Sequence, residues 1–177
     1  GFTVEQMAER AGERIEQMES DRFLEITLDP TRTVPYRPGD IASLEGLLFP
    51  DTYQVSNADN EGQLVERMIE LLERVALQEE LDAGAERLGY TPYEVLTIAS
   101  MIEREAKVDA DRARIARVIY NRLEMGMNLE IDATLRYGQE PDTPFSVLRF
   151  TDSPYNTYLY GGLPPTPIAN PGRASIR

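Results

Sequence analysis

The chain has 177 residues, 41% of them hydrophobic and 28% charged, and carries a net charge of −13 at pH 7. That size and balance suit one sizeable domain, or a domain with a small appendage, and the acidity excludes a nucleic-acid backbone or an anionic membrane surface as a partner, since both call for clustered Lys and Arg. Without a single Cys or His, the chain has no disulfide, thiolate nucleophile, zinc–thiolate site or His-based triad, so acid–base chemistry falls to carboxylates, Tyr or Lys.

In chain order, residues 3–18 read as a helix: Thr3 and Gln6 make a capping box, and Met7, Ala8 and Ala11 follow as its apolar face. Residues 28–42, rich in Pro, Thr, Arg and Gly, read as a connector. "SLEGLLFPDTYQV" (43–55) suggests short extended structure with turns. From about 61 to 89 the pattern is helical, with Leu64, Met68, Leu71, Leu72 and Val75 on one face; Gly84 is a candidate break and Gly89 a firmer end. Thr91-Pro92-Tyr93-Glu94 then opens a new helix with an N-cap, a Pro at the first helical position and a capping box. A further helix is expected over about 110–125, with Ile115, Val118, Ile119 and Leu123 inward. Residues 128–177 read as loop-rich, with a short helix near 144–149. Nothing approaches the ~20 apolar residues of a membrane span, and no signal peptide opens the chain. Both ends, "GFTVEQMAER" and "NPGRASIR", read as cut from something longer.

The stretch "TIASMIEREA" (97–106) carries the sharpest chemical signal. On a helical wheel Val95, Ile98, Ala99, Ile102 and Ala106 form the apolar arc. Glu103 falls inside its widened edge, flanked by the small residues Ala99, Ser100 and Ala106. A carboxylate among small side chains is reachable by a ligand, and partial burial would raise its pKa toward that of a general acid. Glu105 lies at the opposite edge, Arg104 toward solvent. The structural alternative is that both glutamates flank the core and pair with Arg104, Lys107 or Arg112; the wheel does not choose between Glu103 and Glu105.

Four longer blocks narrow the reading. "LEGLLFPDTY" (44–53), "YEVLTIASMIEREA" (93–106), "ARVIYNRLEMGMNLEIDATLRYG" (116–138) and "DSPYNTYLYGGLPPTPIANPG" (152–172) occur in the order found in the endolytic murein transglycosylase family, also called YceG-like, which the chain resembles over about residues 43–177. Residues 1–42 resemble more loosely part of a LysM-like module opening on Gly1, Thr3, Gln6 and Ala8. The resemblance implies an α+β protein: a partial LysM-like module and connector over 1–42, then a C-terminally truncated, mainly helical catalytic domain over 43–177 with short strands and a long Pro/Gly-rich loop. It implies an enzyme that faces the cell wall from a cytoplasmic-membrane anchor outside this sequence. Such an enzyme cuts the MurNAc–GlcNAc bond within peptidoglycan glycan strands and leaves 1,6-anhydroMurNAc ends, with no cofactor or metal. Wall synthases of the penicillin-binding type are its implied protein partners.

On the same resemblance, the catalytic acid is the first Glu of the "A-S-x-x-E-x-E" block, which lands on Glu103. Substrate contacts fall on Ser100, Asp132, Thr134, Tyr137, Tyr155, Asn156, Thr157 and Tyr158. The 153–172 loop has a stiff composition, with Pro164, Pro165, Pro167 and Pro171 restricting it. Its Tyr rings suit sugar faces, although they would also suit a lid packed on itself, Tyr160 above all. Where the family usually has Asp-Pro-Thr, this chain has Asp132-Ala133-Thr134. Asp132 or Glu130 would be the second carboxylate of a muramidase, or Asp132 the cap of a turn. Glu45 either reaches the cleft or pairs with an Arg. Beside the transglycosylase and the muramidase stand a non-catalytic wall-binding module and a scaffold for wall-synthesis enzymes.

Overall fold

A computed structural model describes all residues, 1–177. Half of the chain lies in nine helices: α1 (Val4–Arg14), α2 (Ser20–Thr27), α3 (Glu61–Gln78), α4 (Leu81–Leu88), α5 (Pro92–Glu105), α6 (Asp109–Glu124), α7 (Asp132–Arg136), α8 (Phe145–Leu148) and α9 (Arg173–Ile176). There is no strand, and this overturns the expectation of an α+β fold with a LysM-like part. The segment expected to be extended, 43–55, forms no ladder. Phe49 donates its N–H to the Met68 carbonyl of α3 (3.2 Å), and Tyr53 ties its hydroxyl back to the Phe49 carbonyl (2.6 Å). A strand exists only when a second extended segment takes up its alternate N–H and C=O groups, and here a helix occupies that side. Residues 1–42 likewise hold two packed helices and a turn-rich connector, gathered by Arg37, whose guanidinium donates to the carbonyls of Asp29, Pro30, Arg32 and Ala42.

The helix starts follow their local chemistry. Thr3 and Thr91 accept from the N–H groups of Gln6 and Glu94, and those side chains reach back to close both capping boxes. Gly89 ends α4 in the left-handed region (φ 75°). The α3–α4 break falls at Glu80 (φ 53°), while Gly84 sits inside α4. In α6 the expected inward face is narrower than its apolar pattern: Ile119 is buried, but Val118 is exposed.

The central element is α5, where Tyr93 and every residue from Val95 to Ile102 are buried. A helix that is apolar all round belongs inside, and its two polar residues there satisfy themselves: Thr97 donates to Tyr93 O and Ser100 to Thr97 O. Its first half joins a large cluster with α1, α2, the 44–49 turn, α3 and α4. Ile98, Met101 and Ile102 join a smaller cluster with Ile119, Leu129, Ile131 and Ile168. Burial on all sides fixes the last turn of α5, and therefore the direction of Glu103, Arg104 and Glu105. No helix is long and apolar enough to cross a membrane.

Candidate active site

The two glutamates at the end of α5 part company. Glu105 turns to α7 and accepts the Ala133 N–H (3.0 Å), satisfying a donor of the first turn of that short helix. Glu103 faces a converging set of donors. Its Oε1 accepts from the Gly1 nitrogen (3.0 Å). Its Oε2 accepts from the Ser175 hydroxyl (2.6 Å) and the Arg112 guanidinium (3.2 Å). The Arg112 guanidinium also donates to Ser175 Oγ (2.5 Å) and holds Asp109 one turn away. The Glu103 side chain keeps 15% of its surface exposed, so it is reachable from solvent. Two glycines leave that room: a Cβ on Gly1 would stand 3.0 Å from Glu103 Cγ and 2.3 Å from the Asn170 carbonyl, and one on Gly172 would stand 3.8 Å from Oε2.

Burial by itself pushes the Glu103 carboxyl up. The hydrogen bond from the Ser175 hydroxyl and the nearby Arg112 guanidinium are among the influences that outweigh it and hold the group below its ordinary value. This is the opposite of the raised pKa expected for a general acid among small neighbours. The small neighbours, and Arg112 as a pairing candidate, were legible in the sequence, and the structure forms that pair; the donor from residue 175 was not. Replacing Arg112 with Gln removes a cation from Oε2, and the Glu103 titration midpoint, followed by carboxyl carbon NMR, is expected to move up. An unchanged or lower midpoint would refute the electrostatic role given to Arg112.

The other expected site residues divide into groups. Ser100 is fully buried and its hydroxyl accepts the Ile168 N–H (3.0 Å), pinning the Pro-rich loop to α5. Thr134 and Thr157 are buried against each other (2.9 Å), and Thr157 also accepts the Ile131 N–H (3.0 Å). Asn156, 1% exposed, donates to the Leu148, Arg149 and Thr151 carbonyls and accepts the Tyr158 N–H. These four hold the loop together from within. Tyr155 packs its ring on Tyr137 (centroids 4.6 Å apart) and bonds Thr166 (2.9 Å). Asp132 and Tyr158 meet at 2.6 Å on the surface, with Arg149 over the Tyr158 ring; the Asp132 bond and its charge, with some burial, push the phenol up to about 12. Asp132 makes no cap with its side chain. Tyr160 is exposed and donates to Asp152. Glu130 is held by Arg122 (3.1 Å).

Glu45 does neither of the things expected of it. It is 2% exposed and has no Arg or Lys partner. Its carboxylate accepts the Val4 N–H (3.2 and 3.1 Å), the Tyr137 hydroxyl (3.1 Å) and the Asn170 amide (2.9 Å). The hydroxyl of Tyr137, a residue expected on substrate, is therefore turned inward, while the half-buried side chain still borders a cleft. Sequence reasoning passed over Ser175 and Asn170 altogether, because nothing local marks either: their partners lie 72 and 125 residues away.

Two clefts flank this region. One, of about 780 Å³, has Arg112 and Ser175 in its wall together with Tyr90 and Tyr120, whose rings pack 5.6 Å apart. The other, of about 410 Å³, runs past Thr3, Gln6, Arg104, Arg136 and Tyr137. No group of three or more acidic side chains is gathered to hold a metal ion.

Known proteins resemble this chain in sequence and fold. The endolytic murein transglycosylase of Bacillus subtilis (strain 168) is 39% identical over 135 residues, covering 75% of this chain and 37% of its own length. The endolytic murein transglycosylase of Streptococcus pneumoniae (serotype 2, strain D39) is 30% identical over 201 residues, covering 99% of this chain and 36% of its own. The chain thus spans little more than a third of the curated relatives it matches. The crystal structure of a YceG-like protein from Listeria monocytogenes superposes with a TM-score of 0.84 at 30% identity, over 99% of this chain and 62% of that one. The YceG-like family model matches residues 1–177, from end to end, and the chain belongs to that family.

Proposed function

We propose that the chain carries the cutting centre of an endolytic peptidoglycan transglycosylase, with Glu103 as the one carboxyl group that does the acid–base work. The observation that carries this reading is the donor-ringed, solvent-reachable Glu103 carboxylate at the end of a rigid buried helix, in a chain whose relatives bear that enzyme's name.

The chemistry needs one carboxyl and an internal nucleophile. Protonated Glu103 gives its proton to the bridging glycosidic oxygen as the bond from the muramyl C1 to that oxygen breaks. The same carboxylate then takes the proton of the muramyl 6-hydroxyl as O6 bonds to C1. Glu103 ends protonated again, no water is consumed, and the product is a 1,6-anhydro end. Because the nucleophile is part of the substrate, proximity replaces a second carboxylate, whereas ordinary glycosidases need two carboxyls about 5 Å or roughly 6.5–9.5 Å apart. The other carboxylates raised as partners have other engagements: Glu130 with Arg122, Asp132 with Tyr158, Glu45 with its three buried donors. At rest the donors around Glu103 favour its anion. A sugar that displaces the Ser175 hydroxyl removes the largest of the lowering influences and moves the carboxyl back toward the protonated form that the first step needs.

The full protein would work at the cell envelope on glycan strands, beside the synthases that make them. The decisive measurement is mass spectrometry of products from uncrosslinked murein strands. Anhydromuramyl ends support the reading. Ends heavier by one water would establish a muramidase and return attention to Asp132. Intact strands would sink the enzyme reading for this chain and favour a wall-binding module.

A further inference from the structure

Glu45 is the most conspicuous group that the proposed chemistry does not use. A carboxylate at 2% exposure with no cation is costly, and it persists only where something over-determines it. Its partners come from three separate places in the chain. Val4 is the first residue of α1, and its N–H is one of the donors a helix leaves open there. Tyr137 follows α7. Asn170 belongs to the Pro-rich loop. Asn170 extends the connection: its side chain donates to the Phe2 carbonyl (3.1 Å) and accepts the Leu48 N–H (2.9 Å), and its own N–H donates to the same Phe2 carbonyl (2.9 Å). The two ends of this assembly stand at Glu103. Gly1 is wedged between the Asn170 carbonyl and Glu103 Cγ, and Gly172, two residues beyond Asn170, lies against both Glu103 oxygens.

We propose that Glu45 is a positioning residue for Glu103: its carboxylate clasps residues 2–4, Asn170 and Tyr137 into one frame whose ends, Gly1 and Gly172, set the orientation and access of the catalytic carboxylate. The proposal rests on the transglycosylase reading for its consequence in rate, but not for its consequence at Glu103 itself. The charge on Glu45 matters because an anion accepts from every donor around it, while a neutral amide offers one oxygen and turns two N–H groups toward donors. The titratable groups facing it are Glu5 on α1, Tyr93 on α5, Tyr137, and Tyr155 in the loop. None is a cation, so no counter-ion offsets the charge on Glu45, and in its ionised form the clasp depends on its hydrogen bonds.

The test is Glu45→Gln, which keeps the shape and removes the charge. Three readouts are taken: the melting temperature, the Glu103 midpoint by carboxyl carbon NMR, and the rate on murein strands. The expected result is a folded variant whose Glu103 midpoint moves upward as the Ser175 hydroxyl, carried three residues beyond Gly172, loosens from Oε2, with kcat lower by roughly 10- to 100-fold and KM near the parent value. A folded variant with an unchanged Glu103 midpoint overturns the proposal, whether or not the parent cuts strands. If the parent cuts no strand, the enzyme reading fails while the NMR shift still decides the positioning role. Should Glu45→Gln fail to fold, Tyr137→Phe removes one donor without changing charge, and the same midpoint comparison decides.

Discussion

Replacing Glu103 with Gln is expected to remove strand cleavage by roughly 10²- to 10⁴-fold, the contribution of a positioned acid–base group, while leaving the fold in place. Gln has the same shape and still accepts from Ser175. It leaves Arg112 with Asp109 as its remaining acid, and a partly exposed pair of this kind is worth about 1 kcal/mol or less. Product quantification beside circular dichroism and a melting curve reads both halves. A folded variant that cuts at the parent rate would remove Glu103 from the chemistry. The informative companion is Glu105→Gln. Its carboxylate serves the Ala133 N–H, and the amide oxygen replaces it there, so cleavage should stay within about threefold of the parent on the usual scale of a preserved hydrogen bond. Equal losses in the two variants would mean that the end of α5 acts as a structural unit, with no division of labour.

The second large effect is on stability, and it follows from Glu45. Burial pushes this carboxyl up from 4.5 to about 7, against the lowering influence of its bonds from Val4 and Tyr137. The folded value lies above the unfolded one, so the folded chain holds the proton more tightly. The stability this confers is complete below about pH 4.5 and is lost as the pH rises through about 7. Between pH 5 and pH 8 the free energy of unfolding in urea should therefore fall by about 2–3 kcal/mol. Glu103 acts the other way and elsewhere: its value is lowered, so its share is present above the ordinary carboxylate range and lost as the pH falls through that range. No His titrates in this window. In Glu45→Gln the same curve should be flat. A parent curve that is flat or rising from pH 5 to 8 would show that Glu45 is not a raised, buried carboxyl. A variant both firmer at pH 8 and slower on substrate would mark a residue held at the expense of stability, as functional sites often are.

What the sequence disclosed was whatever depends on neighbours along the chain. Thr3–Gln6 and Thr91–Glu94 announced their capping boxes, and the period of apolar residues announced α3 and α5. The α3–α4 break was hidden because Glu80, with no glycine's freedom, adopts the left-handed conformation there. The segment around Phe49 suggested a strand because aromatic and apolar residues alternate with turn formers, yet pairing decides strand formation and α3 supplies the contact instead. At the site, the spacing on α5 brought attention to Glu103 and Glu105 without separating them. Only the distant donors Ser175 and Ala133 do so. Thr134 of α7 and the loop residues Asn156 and Thr157 were expected on substrate from the family resemblance. Their hydrogen-bonding capacity turns out to be engaged within the fold.

The bond between the Asn170 amide and the Phe2 carbonyl joins residues 168 positions apart. Closing so long a loop is entropically expensive until the intervening helices have already condensed. The frame around Glu103 is accordingly among the last parts to assemble, whereas α5 is shaped by local contacts well before. During synthesis the chain would carry a formed helix with an unmounted carboxylate until residue 170 has emerged. The orientation of Glu103 would then be set in one step, together with the completed fold.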